Sequence, residues 1–305
     1  MWFKSLVLLS ALVSVAHCDP RLRFIFYFGS TQFIETAEFT AANLETLNAH
    51  PAFQRNIRTV MFHYGVGQSV SSSPVFDIIT SYLFNREYNF VVVSYESNNV
   101  VSTDTAVDLA EGIATSLIRL FDAGYSSGNM NLLGFSLGAQ IMARASRRVQ
   151  AISNRRHIIG RLTGLDPFNI GPISALRIGR MSSADAQWVE SIHTENPNRG
   201  DHSSTGHVQF YFNGGVSQPQ CTQISPISRW DCSHDFALLY WSESVRSSVF
   251  TFPALQCGSW ELYTSGACNS NSIGHVGRTT ESNLRGSYFL RTNLSPPYAR
   301  DTALP

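Results

Sequence analysis

Hydrophobic and polar positions follow two different patterns along the first two thirds of the chain. Short apolar runs rich in β-branched residues predict buried parallel strands, because strands covered on both faces lose the polar alternation; they span residues 57–63, 90–95, 131–134 and 158–166. Between two of these runs, apolar residues recur every three or four positions, which predicts an amphipathic helix: Val107, Ala110, Ile113, Leu117 and Leu120. Strands that alternate with helices predict an α/β fold.

The pattern changes after about residue 195, where loops rich in Gly, Pro, Asn and Ser surround strand-like segments such as residues 208–212. No repeat, low-complexity linker or charge block accompanies the change. The chain has 305 residues, of which 43% are hydrophobic, so it can bury a substantial core. We therefore predict a single domain with a mostly parallel central sheet and helices on both faces.

The first eighteen residues are typical of a secretory signal peptide. Lys4 precedes an apolar run at residues 6–15, and small residues follow it, with cleavage expected after Ala16 or Cys18. The run is shorter than the roughly 20 residues that cross a bilayer. The alternative is a buried N-terminal helix. We expect a signal peptide at residues 1–18, a mature chain at 19–305 and a secreted, extracellular protein with no transmembrane segment.

The charges of the chain are balanced, with 22 Lys and Arg residues against 22 Asp and Glu residues. A net charge of zero gives no overall attraction to nucleic acid or to an anionic membrane surface. We therefore expect no nucleic-acid partner, and any binding site has to be sought in local motifs.

If the protein is secreted, its cysteines are expected to form disulfides. Without Cys18, four remain, which suits disulfide formation in an oxidising compartment: Cys221, Cys232, Cys257 and Cys268. Three pairings are open, and we favour the two local ones, 221 with 232 and 257 with 268. Zinc binding is the competing interpretation, but the chain has neither C-x2-C spacing nor an H-E-x-x-H motif. We expect no catalytic metal and no cofactor.

Two copies of G-x-S-x-G lie close together, around Ser126 and Ser136. In a nucleophile elbow this motif joins the end of a strand to the start of a helix. Ser126 instead follows the predicted helix and precedes a strand, with Gly124 in a position to end that helix. Ser136 follows a strand and leads into a good helix-forming run. Ser136 is therefore the candidate nucleophile.

Possible partners for Ser136 lie downstream, in the order Ser, Asp, His that α/β hydrolases use. Asp166 ends the next predicted strand, where Pro167 turns the chain. The histidine candidates are His157, His193, His202, His207, His234 and His275. His157 and His193 lie in strand-like contexts that favour a structural role. His234 follows Cys232 in a segment that we expect to be a disulfide-anchored loop before a helix, so it is the preferred base.

Several stretches together resemble the animal pancreatic lipase superfamily, which includes lipoprotein-type lipases, insect neutral lipases, venom phospholipases A1 and the non-catalytic yolk proteins of flies. They are LLGFSLGAQ, LTGLDP, SSADAQWVESIHT, GHVQFYFNGGVSQPQC, CSHDFALLYWSES and GSYFLRTN, together with the spacing of the last four cysteines. They cover essentially the whole predicted mature chain. The resemblance implies that the chain has an α/β-hydrolase fold and is a serine carboxylic ester hydrolase. Within the superfamily, the chain resembles the insect neutral lipases and the phospholipase A1-like members.

The resemblance also implies roles for single residues. Ser136 would be the nucleophile, Asp166 the orienting acid and His234 the general base and then acid. The backbone N–H of Leu137 would be one oxyanion donor. Members of the superfamily have His-Gly and a large residue after the preceding strand, whereas this chain has His63-Tyr64-Gly65. An ungapped alignment gives the second donor position to Gly65.

Calcium binding is not expected, although the superfamily has a calcium loop near residues 182–189. Asp185 matches one of its two aspartates, but Ser182 stands where the other belongs. Losing a carboxylate removes charge that calcium needs.

Loop lengths bear on the substrate. Only ten residues separate Cys221 from Cys232, where triglyceride lipases of the superfamily have a long lid, and the connection at residues 194–205 is also short and polar. The resemblance thus favours the short-lid members, phospholipase A1-like or galactolipase-like, and of these we favour a phospholipase A1-like enzyme that acts on acyl glycerolipids at the surface of a lipid aggregate. The alternatives are a triacylglycerol lipase, a yolk-type binding or storage protein, and a short loop with no bearing on substrate. Twelve residues follow YFLRTN, so no C-terminal β-sandwich and no colipase partner are expected.

Overall fold

The computed structural model describes residues 21–95, 102–171, 177–203, 205–247 and 252–305. The predicted signal peptide at residues 1–18, with its two cleavage positions, lies outside these residues. None of the described helices is long and apolar enough to cross a membrane.

One large sheet runs through the described part of the chain. Its strands in sequence order are β1 Leu22–Gly29, β2 Ile34–Thr40, β3 Thr59–His63, β4 Asn89–Tyr95, β5 Met130–Phe135, β6 Arg161–Leu165, β7 Trp188–His193, β8 Val208–Phe212, β9 Pro253–Gln256, β10 Ile273–His275 and β11 Gly286–Leu290. Their spatial order is β10-β9-β11-β8-β7-β6-β5-β3-β4-β1-β2. The seven strands from β11 to β4 pair in parallel, and antiparallel strands lie at both edges. The predicted α/β-hydrolase architecture is confirmed.

Helices cover both faces of this sheet. They are α1 Ser73–Asn85, α2 Thr103–Asp122, α3 Leu137–Ile152, α4 Pro226–Arg246 and the short α5 Trp260–Thr264. Apolar residues of α2 and α3 belong to one buried cluster, and those of α1 and α4 belong to another. Ser102 begins α2 by accepting a hydrogen bond from the amide of Thr105, a common helix N-cap. The predicted helix at residues 107–120 lies entirely within α2.

Three local predictions need correction. The strand predicted at residues 158–166 is only Arg161–Leu165, because Asp166 adopts a positive φ of 41° that ends the extended backbone. His157 lies in the loop after α3, where it contacts Asp122, and not in a strand. His234 lies within helix α4 and not in a loop before a helix. Pro226 at the first turn starts that helix inside the disulfide-closed segment, a position that suits proline.

Both favoured disulfides are present in the structure. Cys221 pairs with Cys232 and Cys257 pairs with Cys268. The first pair fastens the start of α4 to the turn before it. The second pair belongs to a small separate core with Tyr263 and Phe289, on the side of the sheet that contains β9 and β11. Each disulfide therefore constrains a different part of the fold.

Candidate active site

Ser136 lies between β5 and α3 in a sharp turn. Its backbone angles, φ 56° and ψ −127°, are rarely adopted by residues other than glycine. Its amide donates to the carbonyl of Leu165, and its carbonyl accepts from the amides of Ala139 and Phe168. Ser126, by contrast, has a φ of −73° and lies between α2 and β5. The structure thus places only Ser136 of these two serines on a strand-to-helix turn.

The two glycines around Ser136 allow backbone segments to cross at this turn. A Cβ atom on Gly134 would lie 2.4 Å from the Cα of Ala139, and one on Gly138 would lie 2.3 Å from the carbonyl oxygen of His63. Contacts this short exclude any side chain at either position. The spacing of the motif therefore follows from the packing of α3 against the ends of β5 and β3.

Asp166 follows the last residue of the neighbouring strand β6 and is fully buried. Its Oδ1 atom accepts hydrogen bonds from the amides of Thr194 and Glu195, at 2.8 and 3.2 Å. Gly200 packs against the carboxylate, since a Cβ there would lie 2.9 Å from both oxygens. Burial raises the pKa of Asp166, while the hydrogen bonds from His234 and from the two amides act in the opposite direction.

His234 on helix α4 completes the arrangement. Its Nδ1 atom lies 2.5 Å from Oδ2 of Asp166, and its ring packs at 4.6 Å from the ring of Phe135. Its Nε2 atom is buried and has no hydrogen-bond partner within the described residues. His234 and Ser136 line the same open cleft of about 570 Å³, whose lining residues are Gly65, Val66, Gln68, Phe135, Ser136, Leu137, Phe168, Arg199, Asp231, His234 and Asp235. The fold thus brings together the three side chains that the sequence selected.

The other candidate histidines have partners elsewhere in the fold and do not line this cleft. His157 contacts Asp122, His193 contacts Ser191, His202 contacts the Gly215 carbonyl, His207 contacts the Val189 amide and His275 contacts Glu281. His63 at the end of β3 is also buried, and its Nδ1–H donates to the carbonyl of Val93 at 2.9 Å. Burial lowers the pKa of His63 to about 4, so this ring is neutral at physiological pH.

The two candidate oxyanion donors, Leu137 and Gly65, both line the cleft that contains Ser136. Leu137 is the first residue of α3, a position where amides point out of the helix towards negative charge. Gly65 follows β3, and a Cβ on it would lie 3.0 Å from the Cβ of Ser136 and 3.1 Å from the ring of Phe135. No larger residue fits there without movement of the loop. Tyr64, which precedes Gly65, is buried outside the lining of the cleft and hydrogen-bonds to Ser94 through its hydroxyl group.

The mouth of the cleft carries charged side chains that the motif analysis missed. Arg199 and Asp231 form an ion pair at 2.7 Å, and Asp235 directly follows His234. Gln68 also lines the cleft and accepts a hydrogen bond from the amide of Gly65 at 3.2 Å. The one sequence signal for these residues was the position of Asp235 beside the candidate base.

The residues around Asp185 do not fit a calcium ion. Both carboxylate oxygens of Asp185 lie 2.8 Å from Nη1 of Arg147. The same guanidinium group donates to three backbone carbonyls, those of Ile178, Gly179 and Arg180, at 2.9 to 3.0 Å. A protein cation thus occupies the five oxygens that face this position. The described residues contain no group of three or more His, Cys, Asp or Glu side chains arranged to hold a metal.

The chain is similar in sequence to known lipases. The lipase family profile, described as "Lipase", matches residues 13–298. Lipase member H of Rattus norvegicus is 31% identical over 216 residues, which cover 67% of this chain and 46% of the relative. Pancreatic triacylglycerol lipase of Myocastor coypus is 33% identical over 207 residues, covering 58% of this chain and 43% of the relative. The chain spans about half the length of these curated relatives.

Among solved structures, the similar chains include EstE7, a homologue of HSL from a metagenome library. That match has a TM-score of 0.34 and 11% sequence identity, and it covers 55% of this chain and 65% of the other.

Proposed function

Because the chain belongs to the lipase family, we propose that it is a serine carboxylic ester hydrolase that acts on acyl glycerolipids, preferentially on the sn-1 ester of phospholipids. The observation that carries the proposal is the hydrogen bond of 2.5 Å between His234 and the buried Asp166, at a cleft that Ser136 also lines. A histidine that is hydrogen-bonded to a buried carboxylate and lies near a strained serine is the arrangement that activates a hydroxyl for nucleophilic attack.

The reaction follows from the protonation states at the site. His234 holds a proton on Nδ1 against Asp166, so its Nε2 atom is free to accept the proton of Ser136 Oγ as that oxygen attacks the acyl carbon. The carbonyl oxygen becomes negative and is stabilised by the amides of Leu137 and Gly65. The C–O bond of the ester then breaks, and His234 gives its proton to the departing alcohol. Water, deprotonated by His234, attacks the acyl carbon, the bond from that carbon to Ser136 Oγ breaks, and His234 returns the proton to Oγ as the fatty acid leaves.

The mouth of the cleft supports a substrate with a polar headgroup. The half-buried Arg199 and the exposed Asp231 form an ion pair there, and Asp235, also half-buried, directly follows His234 in sequence. Charged groups at this place suit a zwitterionic or anionic headgroup better than a fully apolar triglyceride. The segment between Cys221 and Cys232 is short, and its Ile224 and Ile227 side chains are exposed. These two residues would contact the surface of the lipid aggregate.

We further propose that the protein is secreted and acts outside the cell as one catalytic domain. The two disulfides support this location, since such bonds persist in oxidising compartments. The predicted signal peptide at residues 1–18 supports it independently.

The second candidate function is that of a ligand-binding or storage protein. It is favoured by the His63-Tyr64-Gly65 sequence and by the hydrogen bond that already occupies the Gly65 amide. Triacylglycerol lipase activity would use the same triad and would differ only in substrate.

The two G-x-S-x-G motifs provide a matched test. The full-length secreted protein, its Ser136→Ala variant and its Ser126→Ala variant are given a phosphatidylcholine with different acyl chains at its two positions and, in parallel, a triacylglycerol emulsion. We expect release of the sn-1 chain by the wild type and by Ser126→Ala, and none by Ser136→Ala. Hydrolysis of the emulsion alone would favour the triacylglycerol lipase. No hydrolysis and no labelling by a fluorophosphonate would favour the binding protein.

A further inference from the structure

Gln68 connects the candidate oxyanion amide to a carboxylate beside the candidate base. Its Oε1 atom accepts from the amide of Gly65 at 3.2 Å, and its Nε2 atom donates to Oδ1 of Asp235 at 3.3 Å. Gln68, Gly65 and Asp235 all line the cleft that contains Ser136. We propose that the Gln68 carboxamide is an internal competitor of the substrate, which holds the Gly65 amide until the ester carbonyl displaces it, and that Asp235 holds Gln68 in that position.

The chemistry of the contact supports this role. An amide carbonyl oxygen and an ester carbonyl oxygen are both neutral acceptors, so Gln68 resembles the ground-state substrate at the Gly65 amide. The oxyanion of the transition state is a charged acceptor, and its hydrogen bonds are about twice as strong. The bound ester and the transition state must both displace Gln68, so the cost of displacement falls on binding and not on the step from bound ester to transition state.

Asp235 explains why the side chain of Gln68 stays in place. A glutamine side chain loses rotamer freedom when it is fixed, so one neutral hydrogen bond would barely hold it. The second bond, at 3.3 Å, goes to a half-buried carboxylate and adds a charge-assisted contact at the other end of the carboxamide. Asp235 lies on helix α4 next to His234, 167 residues from Gln68 along the chain. The contact thus connects the loop after β3 to the helix that carries the candidate base.

The inference rests on the proposed function and predicts a change in KM. If Gln68 must leave before substrate binds, the contact raises KM and leaves kcat unaffected, because the contact is absent once the ester is bound. Gln68→Ala should therefore lower KM about two- to tenfold at unchanged kcat, the range that one hydrogen bond of ordinary strength allows. A purely structural role of Gln68 in the loop would instead lower kcat, since the Gly65 donor would be misplaced.

A double-variant cycle isolates Asp235. Asp235→Asn should lower KM by less than Gln68→Ala does, since an amide oxygen still accepts a weaker bond. In the Gln68→Ala background, the part of the KM effect of Asp235→Asn that acts through Gln68 should disappear, so the two substitutions should be non-additive in KM, whereas a direct effect of the lost charge on headgroup binding is the same in both backgrounds. Any direct effect of the lost charge on His234 appears equally in both backgrounds. The exposed Gln54→Ala serves as a control for the loss of a glutamine side chain.

A second measurement does not depend on activity. In protein labelled with 15N-glycine, the Gly65 amide signal is assigned as the one that disappears in Gly65→Ala. We expect Gln68→Ala to shift this signal upfield and Gln54→Ala to leave it in place. An unshifted signal, an unchanged KM or a lowered kcat in Gln68→Ala would overturn the inference in an active enzyme. If the wild type hydrolyses no ester, the proposed function fails, and an unshifted Gly65 signal would then still overturn the contact.

Discussion

Nδ1 of His234 and Oδ2 of Asp166 lie 2.5 Å apart, although the two residues come from helix α4 and from the end of strand β6. Two backbone amides and Gly200 hold the carboxylate on its other side. Because the carboxylate accepts hydrogen bonds and does not donate them, Nδ1 of His234 carries the proton, which leaves Nε2 as the basic nitrogen. The tautomer of His234 is thus set by residues that do not touch the substrate.

Asp166→Asn should test this relationship most directly. The asparagine amide can present its N–H to Nδ1 and so favour the wrong tautomer, and we expect kcat to fall by about 10⁴. The measurement is hydrolysis of a soluble short-chain ester, with urea unfolding as a check on the fold. Asp122→Asn, which alters an exposed contact with His157, is the matched control and should keep wild-type activity. A loss below tenfold in Asp166→Asn would contradict the assigned role.

Gly65→Ala should impair activity although it adds only one methyl group. Its methyl group would meet the Cβ of Ser136 at 3.0 Å, so the loop must move and the Gly65 amide moves with it. Losing one oxyanion donor costs about 10²–10³ in kcat. Gly67→Asn in the same loop is the control, since a Cβ there meets nothing within 4 Å and asparagine tolerates the positive φ of 77°. Equal activities of the two variants would show that Gly65 is not a donor.

His63 should make the protein sensitive to acid. Its pKa is about 4 in the folded state, against an ordinary value of about 6.5, so the unfolded state binds more protons between these values. The resulting stability is complete above pH 6.5 and is lost as the pH falls towards 4. We expect about 2 kcal/mol of this loss between pH 7 and pH 5.

His63→Asn is the variant that isolates this contribution, because asparagine keeps a donor for the Val93 carbonyl but does not titrate. Denaturant unfolding at both pH values is the measurement. The free energy of unfolding of His63→Asn should fall by less than that of the wild type over this interval. An identical fall in both proteins would show that His63 does not carry the acid sensitivity.

The two disulfides should be separable by their effects. Each closes a segment with a sequence separation of 11, so removing either should lower the free energy of unfolding by a similar amount, about 3 kcal/mol. Only the Cys221 and Cys232 pair lies next to the candidate base. The double variant Cys221→Ala and Cys232→Ala should lose activity severalfold even where it is folded, because the start of α4 is released.

The double variant Cys257→Ala and Cys268→Ala is the matched control, since its disulfide belongs to the separate small core. It should keep its activity below its own unfolding temperature. Thermal unfolding followed by circular dichroism, and ester hydrolysis at a temperature where both variants are folded, check this prediction. Equal activities in the two double variants would refute it.

Calcium should stabilise Arg147→Ala but not the wild type. The Arg147 guanidinium occupies five oxygen acceptors around Asp185, and removing it leaves a buried carboxylate unpaired, at a cost of about 3 kcal/mol. Millimolar calcium could then enter and raise the Tm of the variant. Arg147→Lys, which keeps the charge but loses the planar fork, should be destabilised less. A rise in the Tm of the wild type with calcium would contradict this prediction.

Ser136 and Asp166 were predictable from the sequence because both follow buried strands, and the ends of neighbouring parallel strands meet at one edge of a sheet. The location of His234 on a helix differs from the prediction, because the short disulfide-closed segment suggested a loop. Pro226 is the sequence signal that indicates the start of this helix. The contacts of Gln68 with Asp235 and of Arg147 with Asp185 depend on the packing of distant elements. No periodicity or spacing in the chain indicates such pairs.

The backbone of Ser136 has a consequence for how such a chain changes over generations. A non-glycine residue at φ 56° and ψ −127° costs about 1–3 kcal/mol, and glycine would be relieved of this cost. If the protein only carried a ligand, replacing Ser136 by glycine would stabilise it without loss of function. A serine in this strained backbone conformation is what selection for a reactive hydroxyl would produce.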